Sequence, residues 1–173
     1  MSLRERLGTV FIWAVFALYV AFLLKLLLFS RPPGSEQSLN LIPFSTISEY
    51  LFSDAASVRR SAIGNVVGNI VAFAPLGLYL PLLRRDARVW ANVLIIASTS
   101  IAVEVVQGTL GLGSSDIDDV ILNTVGGLVG VLCFTLLRVL LRRRARVIAA
   151  VAGLSVLAVP ILCYLLFVIR LQL

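Results

Sequence analysis

The chain contains 173 residues, of which 60% are hydrophobic and 14% are charged, and its formal net charge is +6 with no histidine. Soluble domains contain roughly 45–50% apolar residues, and a soluble domain of this length could not bury the excess. The composition therefore excludes a soluble protein and indicates an integral membrane protein, whose first partner is the lipid bilayer. The positive charge comes from arginines that flank apolar segments, so it does not indicate a nucleic-acid partner.

Five apolar segments are long enough to cross a hydrocarbon core, which takes about 20 residues of helix. Each must be helical, because an open strand cannot satisfy its backbone hydrogen bonds in lipid. The sequence therefore predicts an all-α integral membrane protein with five transmembrane helices, organised as one domain over residues 1–173. The predicted spans are Thr9–Phe29, Ile63–Leu83, Val89–Leu110, Asp119–Leu141 and Val147–Ile169.

The distribution of arginine predicts the orientation of these spans, because cytoplasmic loops carry an excess of basic residues. With the N-terminus in the cytoplasm and the C-terminus outside, only four arginines face outward, which are Arg31, Arg59, Arg60 and Arg170. The ten that face inward are Arg4, Arg6, Arg84, Arg85, Arg88, Arg138, Arg142, Arg143, Arg144 and Arg146. We therefore predict this orientation, in the bacterial cytoplasmic membrane. The inner cluster RRRAR at 142–146 either holds anionic lipid headgroups or simply flanks the fourth span.

The longest connection is the outer loop at residues 30–62, which begins with the helix-breaking stretch SRPPGS. Ser45 is a candidate N-cap, and Ile47, Tyr50 and Leu51 follow it at helical spacing. We therefore predict a short helix in this loop, which either lies in the outer interface or re-enters the membrane.

Polar residues head the fourth span, within the stretch SSDIDDVILNTVGG. At about 100° per residue, Asp116, Asp119 and Asn123 share one face of a helix, and Asp118 lies on the opposite face. Acidic residues in a first turn also cap a helix and complement its dipole, which accounts for Asp116 and Asp118 without any binding role. Capping does not account for Asn123, one turn deeper. We therefore expect the shared face to meet neighbouring helices and Asp118 to point away from the bundle.

Pairs of glycines four residues apart let helices approach closely in membranes. The fourth span contains Gly126 and Gly130, and the second span contains Gly64 and Gly68. Both pairs therefore predict close helix packing.

The second and third spans place further polar side chains at the same depth, in the outer third of the membrane. A carboxylate in a membrane is costly and marks a candidate functional site, whereas a single carboxamide often only joins helices. Because several of these groups share one depth, we predict a polar ligand-binding site that opens to the outer leaflet. Its predicted members are Asn65, Asn69, Glu104, Gln107, Asp116, Asp119 and Asn123.

Charged residues near this depth suggest three further contacts. The carboxylates of Glu104 and Asp119 are candidate ligands of a divalent cation, Mg²⁺ or Ca²⁺, since both ions prefer oxygen ligands. Arg59 and Arg60, at the outer entrance of the second span, are candidate phosphate contacts. Lys25 in the first span either neutralises Glu104 or extends to the interface.

Four ordered motifs resemble the VanZ-like family of small bacterial multi-spanning membrane proteins. They are NLIPF, NxxxNIxxFxPLGxYLP, ExxQ and DIDDVILNTVGG, which together cover residues 39–131. The family is named for a member associated with teicoplanin resistance, and its members commonly carry an arginine just before the DxDD run, where this chain has Gly113. By motif, the resemblance marks Asn69, Phe73, Pro75, Gly77, Glu104, Gln107, Asp116, Asp119, Asn123 and Gly126.

The residues and the resemblance favour a protein that binds a polar headgroup at the outer leaflet, such as a lipid-linked cell-wall precursor or a glycopeptide-related ligand. The resemblance also implies a link to teicoplanin resistance. An alternative is an enzyme that acts on such a lipid, with Glu104 or Asp119 as general base. The lack of histidine and the position of both cysteines within spans argue against catalysis. A partner-binding membrane scaffold is a further alternative.

Overall fold

The computed structural model of the chain describes residues 3–29, 39–45, 47–48, 52, 55–111 and 115–168. Within these ranges lie five long helices: α1 (Leu3–Phe29), α2 (Ala56–Arg84), α3 (Val89–Leu110), α4 (Ile117–Leu141) and α5 (Arg144–Val168). Two strands of two residues each, β1 (Leu39–Asn40) and β2 (Ser115–Asp116), pair in parallel. The helices agree with the predicted all-α class, and the strand pair is an addition that hydropathy does not predict.

All five helices are long and apolar enough to cross a membrane. Large apolar side chains cover their outer faces, as Val10, Val139 and Leu157 illustrate with exposed fractions of 67%, 65% and 71%. Apolar surface on this scale is stable against lipid and not against water. The prediction of a multi-pass membrane protein is therefore confirmed, whereas the orientation of its termini stays a prediction.

A helical turn occupies the described part of the outer loop, where a short helix is predicted. Ser45, Ile47 and Ser48 are helical, and the Ser48 N–H donates to the Phe44 carbonyl at 2.9 Å. Tyr50 and Leu51, which the prediction includes, lie outside the described residues. The depth of this turn in the membrane stays a prediction.

The most extensive helix contact joins α2 to α4, and it is made by backbone against backbone. A Cβ built on Gly130 would lie 1.9 Å from the carbonyl oxygen of Ala74, and one built on Gly126 would lie 2.3 Å from that of Ile70. No side chain larger than hydrogen fits at either position. The close packing predicted for this glycine pair is confirmed.

The glycine pair of α2 has a different role from the one predicted. A Cβ built on Gly64 or Gly68 would meet no atom of the described residues within 4 Å. Both glycines instead line a cavity. The prediction that they pack closely against another helix is wrong, because sequence spacing does not reveal which face of α2 meets a neighbour.

Two buried tyrosines tie α2 to the outer helices of the bundle. The Tyr19 hydroxyl of α1 donates to the Ala72 carbonyl at 2.6 Å, in the turn before Pro75. The Tyr79 hydroxyl lies 2.7 Å from the Ser155 hydroxyl of α5. Helix α2 is therefore hydrogen-bonded to α1 and to α5, which pack against each other at the side of the bundle.

The α2–α3 turn and the α4–α5 turn lie at the same end of the bundle, since Arg85 and Arg142 line one pocket there. We call this end the arginine-rich end. The opposite end, where β1 pairs with β2, is called the loop end. The polar residues predicted to form a site lie toward the loop end, and ten of the chain's arginines belong to segments at or near the arginine-rich end.

Gly130→Ala should lower the unfolding temperature of the purified protein in detergent, because the added methyl group would overlap the Ala74 carbonyl. Overpacking of this kind costs about 1–3 kcal/mol. Gly68→Ala is the matched control, since it makes the same change in open space on the partner helix. It should leave the unfolding temperature unchanged or raise it, because alanine favours helix over glycine by about 1 kcal/mol. Equal losses in the two variants would contradict the backbone contact.

Candidate functional site

A cavity of about 220 Å³ lies at the loop end, between α1, α2, α3 and α4. Its wall combines carboxylates and carboxamides with the backbone of two glycines and with two leucines of α1. Six of the seven predicted site residues line it, and Asp116 does not. The lining residues are Leu26, Leu27, Gly64, Asn65, Gly68, Asn69, Glu104, Gln107, Asp119 and Asn123.

Asp119, in the first turn of α4, receives two amide donors from α2. The Asn69 side-chain nitrogen lies 2.6 Å from the Asp119 carboxylate, and the Asn65 nitrogen lies 3.3 Å from the same oxygen. The two asparagines are four residues apart, so one face of α2 presents both to α4. Asp119 is therefore held at the cavity wall by hydrogen bonds between α2 and α4.

Glu104 holds the end of α3 against the start of α4. Its side-chain oxygen accepts the backbone N–H of Asp116 at 2.9 Å, and its backbone carbonyl accepts the Ser115 hydroxyl at 2.6 Å. The residue is only 8% exposed. Glu104 therefore joins the end of α3 to the head of α4, where its side chain accepts a backbone N–H.

Gln107 satisfies a helix end. Its side-chain nitrogen donates to the carbonyl of Leu27 at 2.7 Å. Leu27 lies in the last turn of α1, where helix carbonyls have no partner within their own helix. Gln107 therefore joins α3 to α1 in the way that polar side chains often join membrane helices.

Asn123 is almost fully buried, with 1% of its surface exposed. Its side-chain nitrogen donates to the Ser100 hydroxyl of α3 at 2.9 Å. Its side-chain oxygen has no hydrogen-bond partner, and no other buried side-chain polar atom of the described residues shares that condition. An unpaired buried acceptor costs about 1–3 kcal/mol, so this oxygen is the position in the cavity wall most in need of a donor.

Asp116 is a capping residue and not part of the cavity wall. Its side chain accepts the N–H of Asp118, two residues into α4, at 2.9 Å. It also accepts a hydrogen bond from the Asn40 side chain of β1, at 3.2 Å. The structure thus places Asp116 outside the predicted site, because capping requires an extended backbone and turns the residue away from the helical face.

Asp118 is buried, which contradicts the expectation that it points away from the bundle. Only 1% of it is exposed, and its carboxylate accepts the backbone N–H groups of Phe44 and Ile47, the second at 3.1 Å. It caps the helical turn of the outer loop from a distance of more than 70 residues along the chain. No local pattern marks such a contact. In the sequence, the only indication of this contact is that the stretches NLIPF and DIDD both contain polar residues whose hydrogen-bond partners the local pattern does not identify.

The remaining candidates lie away from the cavity wall or outside the described residues. Arg60 is exposed in the first turns of α2, and the side chain of Arg59 is not among those described. Lys25 is half-buried on α1, one residue before Leu26 of the cavity wall. Gly113, which stands where members of the family that the chain resembles commonly carry an arginine, lies outside the described residues.

The cavity supplies two carboxylates, those of Glu104 and Asp119. Among the described residues, no group of three or more aspartate, glutamate, cysteine or histidine side chains is arranged to hold a metal ion. Binding of Mg²⁺ or Ca²⁺ therefore stays a prediction, and it does not enter the function proposed below.

An apolar groove of about 370 Å³ borders the polar cavity. The two share Leu26 and Gly68 as wall residues. The groove runs between α1, α2 and α5 and is lined by Tyr19, Phe22, Leu26, Gly68, Val71, Ala72, Pro75, Tyr79, Ala158, Ile161 and Leu162. Polar and apolar binding surfaces thus meet at Gly68, whose missing side chain leaves both of them open.

Comparison with known proteins matches the sequence model of the VanZ/LLP1 family to residues 16–141. Protein VanZ of Enterococcus faecium is 27% identical to the chain over 131 residues, which cover 72% of this chain and 73% of that protein. No solved structure matches the chain. The matched region includes α2, α3 and α4, and therefore every polar side chain of the cavity wall.

Asp118→Asn should open the outer loop to protease, whereas Asp119→Asn should not. The first change disturbs two backbone hydrogen bonds that hold the loop, whereas the hydrogen bonds that the structure gives for the Asp119 side chain go to Asn65 and Asn69 of α2. Losing a buried hydrogen bond to a charged group costs about 1.5–3 kcal/mol, which corresponds to cleavage faster by about tenfold or more where cleavage follows local opening. The measurement is the rate of limited proteolysis of the loop in detergent. Equal rates for the two variants would show that both aspartates act only through their charge.

Proposed function

The chain belongs to the VanZ/LLP1 family, and from that premise we propose that it binds an amphiphile from the outer leaflet of the bacterial cytoplasmic membrane. The polar headgroup of the amphiphile occupies the cavity at the loop end, and its apolar chain occupies the adjoining groove. The proposal includes the predicted orientation, in which the loop end faces outward.

The unpaired side-chain oxygen of Asn123 is the observation that carries this proposal. Asn123 lines a cavity large enough for a small polar group, and its side-chain oxygen is itself buried, so a donor reaches that oxygen when the side chain turns toward the cavity. A ligand hydroxyl or amide N–H would complete its hydrogen bonding and recover the free energy that the unpaired acceptor costs. Water could supply the same donor, so selectivity for a ligand must come from the neighbouring groups.

Those neighbouring groups favour a headgroup that donates hydrogen bonds. The cavity wall contains two carboxylates and four carboxamide side chains, and neither lysine nor arginine is among its lining residues. Carboxylates accept hydrogen bonds and repel anions. A headgroup rich in hydroxyl, amide or ammonium groups fits this wall, whereas a bare phosphate does not. The phosphate contact predicted for Arg59 and Arg60 is therefore not part of the proposal.

The apolar groove makes a membrane-anchored ligand the better fit. Its lining is almost entirely hydrocarbon, and it meets the polar cavity at Leu26 and Gly68. A chain buried there contributes about 0.8 kcal/mol per CH₂ relative to water, although it must displace a membrane lipid. A lipid-linked cell-wall precursor combines such a chain with sugar and peptide groups that donate hydrogen bonds. One small donor group of that headgroup fits the cavity, and the diphosphate linkage lies outside its carboxylate-bearing wall. We therefore favour it over a soluble glycopeptide, and the link to teicoplanin resistance stays a prediction.

The composition of the cavity wall supports binding rather than catalysis. Its described lining residues include no serine, threonine, cysteine, lysine or histidine that could act as a nucleophile. Glu104 and Asp119 both hold hydrogen bonds between structural elements. The enzyme alternative thus lacks a supporting observation, and so does the scaffold alternative.

Gly68→Leu should abolish binding without loss of the fold, because the new side chain enters open space at the junction of cavity and groove. The probe is a polyprenyl diphosphate that carries a disaccharide-peptide headgroup, and binding to the purified protein is followed by native mass spectrometry. Affinity should fall by about tenfold or more, as expected when a filled cavity removes several hydrogen bonds.

Gly153→Leu is the matched control, since Gly153 lies on α5 with no atom within 4 Å of an added Cβ and outside both binding surfaces. It should bind the probe as the unmodified chain does. A polyprenyl phosphate without the sugar-peptide headgroup should bind at least tenfold more weakly, because it cannot form the hydrogen bonds of that headgroup. A tenfold change in affinity corresponds to about 1.4 kcal/mol. Undiminished binding by Gly68→Leu would overturn the proposed location, and equal binding of both lipids would overturn headgroup recognition.

A further inference from the structure

A second pocket, of about 320 Å³, lies at the arginine-rich end and is separate from the polar cavity. Its floor is apolar and includes Phe134, Leu82 and Val147. Four arginines surround this floor, and no acidic residue is among the lining residues, which are Pro81, Leu82, Arg85, Ala87, Phe134, Arg138, Arg142, Arg144 and Val147. The pocket is therefore the opposite of the polar cavity in charge.

The four arginines of this pocket come from three different helices or their ends. Arg85 follows α2 as its C-cap, Arg138 and Arg142 belong to the end of α4, and Arg144 begins α5. Like charges that converge from separate elements repel one another, and because all four side chains are exposed, water weakens this repulsion without pairing any of them. An anion among them would turn the repulsion into attraction.

The described acidic residues at this end are Glu5, in the first turn of α1, and Asp86, in the α2–α3 turn, and neither lines the pocket. The ion pairs of the described turn involve Arg84 and Arg88, which lie 3.7 Å and 2.7 Å from Asp86. The hydrogen-bonded Arg88 guanidinium lowers the pKa of Asp86 to about 2, so Asp86 stays ionised and committed to that turn. Among the described residues, no ion pair engages an arginine of the pocket.

The backbone is strained where two of these arginines enter the pocket. Arg85 has φ 58° and ψ 28°, and Arg142 has φ 54° and ψ −32°. Helices commonly end on a residue with positive φ, but that residue is usually glycine, because a Cβ is unfavourable there. Residues held in such conformations cluster at functional sites. In this chain both strained helix ends carry an arginine of the same pocket.

Helix dipoles and membrane topology do not fully account for the cluster. Cations are favoured at the C-terminal ends of helices, which suits Arg85, Arg138 and Arg142. Arg144 lies in the first turn of α5, where the dipole disfavours a cation. An excess of basic residues sets the orientation wherever those residues lie, as Arg143 and Arg146 do outside the pocket, so it does not explain why four arginines line one pocket.

We propose that this pocket binds a phosphate-bearing anion, with its phosphate oxygens among the four guanidinium groups and any attached apolar portion on the floor formed by Phe134, Leu82 and Val147. Guanidinium groups pair with phosphate through two parallel hydrogen bonds, which point charges cannot do. Basic pockets between transmembrane helices bind anionic headgroups in this way. The anion is either the headgroup of a lipid or a soluble phosphate, and the two sources share this chemistry.

The test measures binding to the full chain in a zwitterionic detergent, by native mass spectrometry and by the shift in unfolding temperature. The probes are cardiolipin, phosphatidylglycerol, phosphatidylcholine and inorganic pyrophosphate. Arg138→Gln and Arg142→Gln should each weaken binding of the anionic probe by about tenfold or more, the effect of losing a charge-assisted hydrogen bond. Arg143→Gln and Arg146→Gln are matched controls from the same segment and should change binding less than threefold, because a general surface charge contributes only about 1 kcal/mol or less.

Arg142→Gly separates binding from folding. Glycine adopts the left-handed conformation of this helix end more readily than arginine, so the unfolding temperature without lipid should stay the same or rise while binding of the anionic probe falls. Binding of the anionic lipids that pyrophosphate does not displace would identify a lipid headgroup, and displacement by pyrophosphate would identify a soluble phosphate. Equal weakening in the control variants, or no weakening in Arg138→Gln and Arg142→Gln, would overturn the pocket. These outcomes are independent of Gly68 and the polar cavity.

Discussion

The close approach of α2 and α4 is the constraint on which the rest of the structure depends. Carbonyl oxygens of α2 occupy the space where side chains would stand at Gly126 and Gly130, so the two helices have one possible depth of contact. That contact places Asn69 within 2.6 Å of Asp119 and leaves Asn123 buried against α3. Gly64 and Gly68 of α2 face away from α4. Because they carry no side chains, the polar cavity and the apolar groove open beside them.

The bundle therefore has two ends of opposite chemical character. The loop end concentrates carboxylates and carboxamides whose hydrogen bonds join α1, α2, α3 and α4, and one acceptor among them has no partner. The arginine-rich end concentrates guanidinium groups, and the four that line its pocket form no ion pair with the described residues. A hydrogen-bond donor fits the first end and a phosphate fits the second. Both ends border apolar surface, which suits the membrane-derived ligands proposed for them.

Hydropathy and helical periodicity predict much of this arrangement. The five helices follow from apolar length. The faces of α2, α3 and α4 that meet at the cavity follow from the spacing of their polar residues, which are Asn65, Asn69, Glu104, Gln107, Asp119 and Asn123. Contacts between segments that are distant in the chain cannot be predicted from hydropathy or periodicity. Asp118 caps a turn at Phe44 and Ile47, and Asp116 leaves the helical face because it is the cap. Gly64 and Gly68 share the spacing of a packing motif, yet they line a cavity, because spacing is silent on what stands opposite.

A crystal structure of the chain, grown in a lipid phase with the sugar-peptide-bearing polyprenyl diphosphate, measures the central claim directly. The account predicts a donor atom of the headgroup within about 3.2 Å of the Asn123 side-chain oxygen, the upper limit of a good hydrogen bond. It also predicts continuous density from that headgroup past Gly68 into the apolar groove. A cavity that holds only water, with the lipid bound elsewhere, would contradict the account, and so would a phosphate group seated between Glu104 and Asp119.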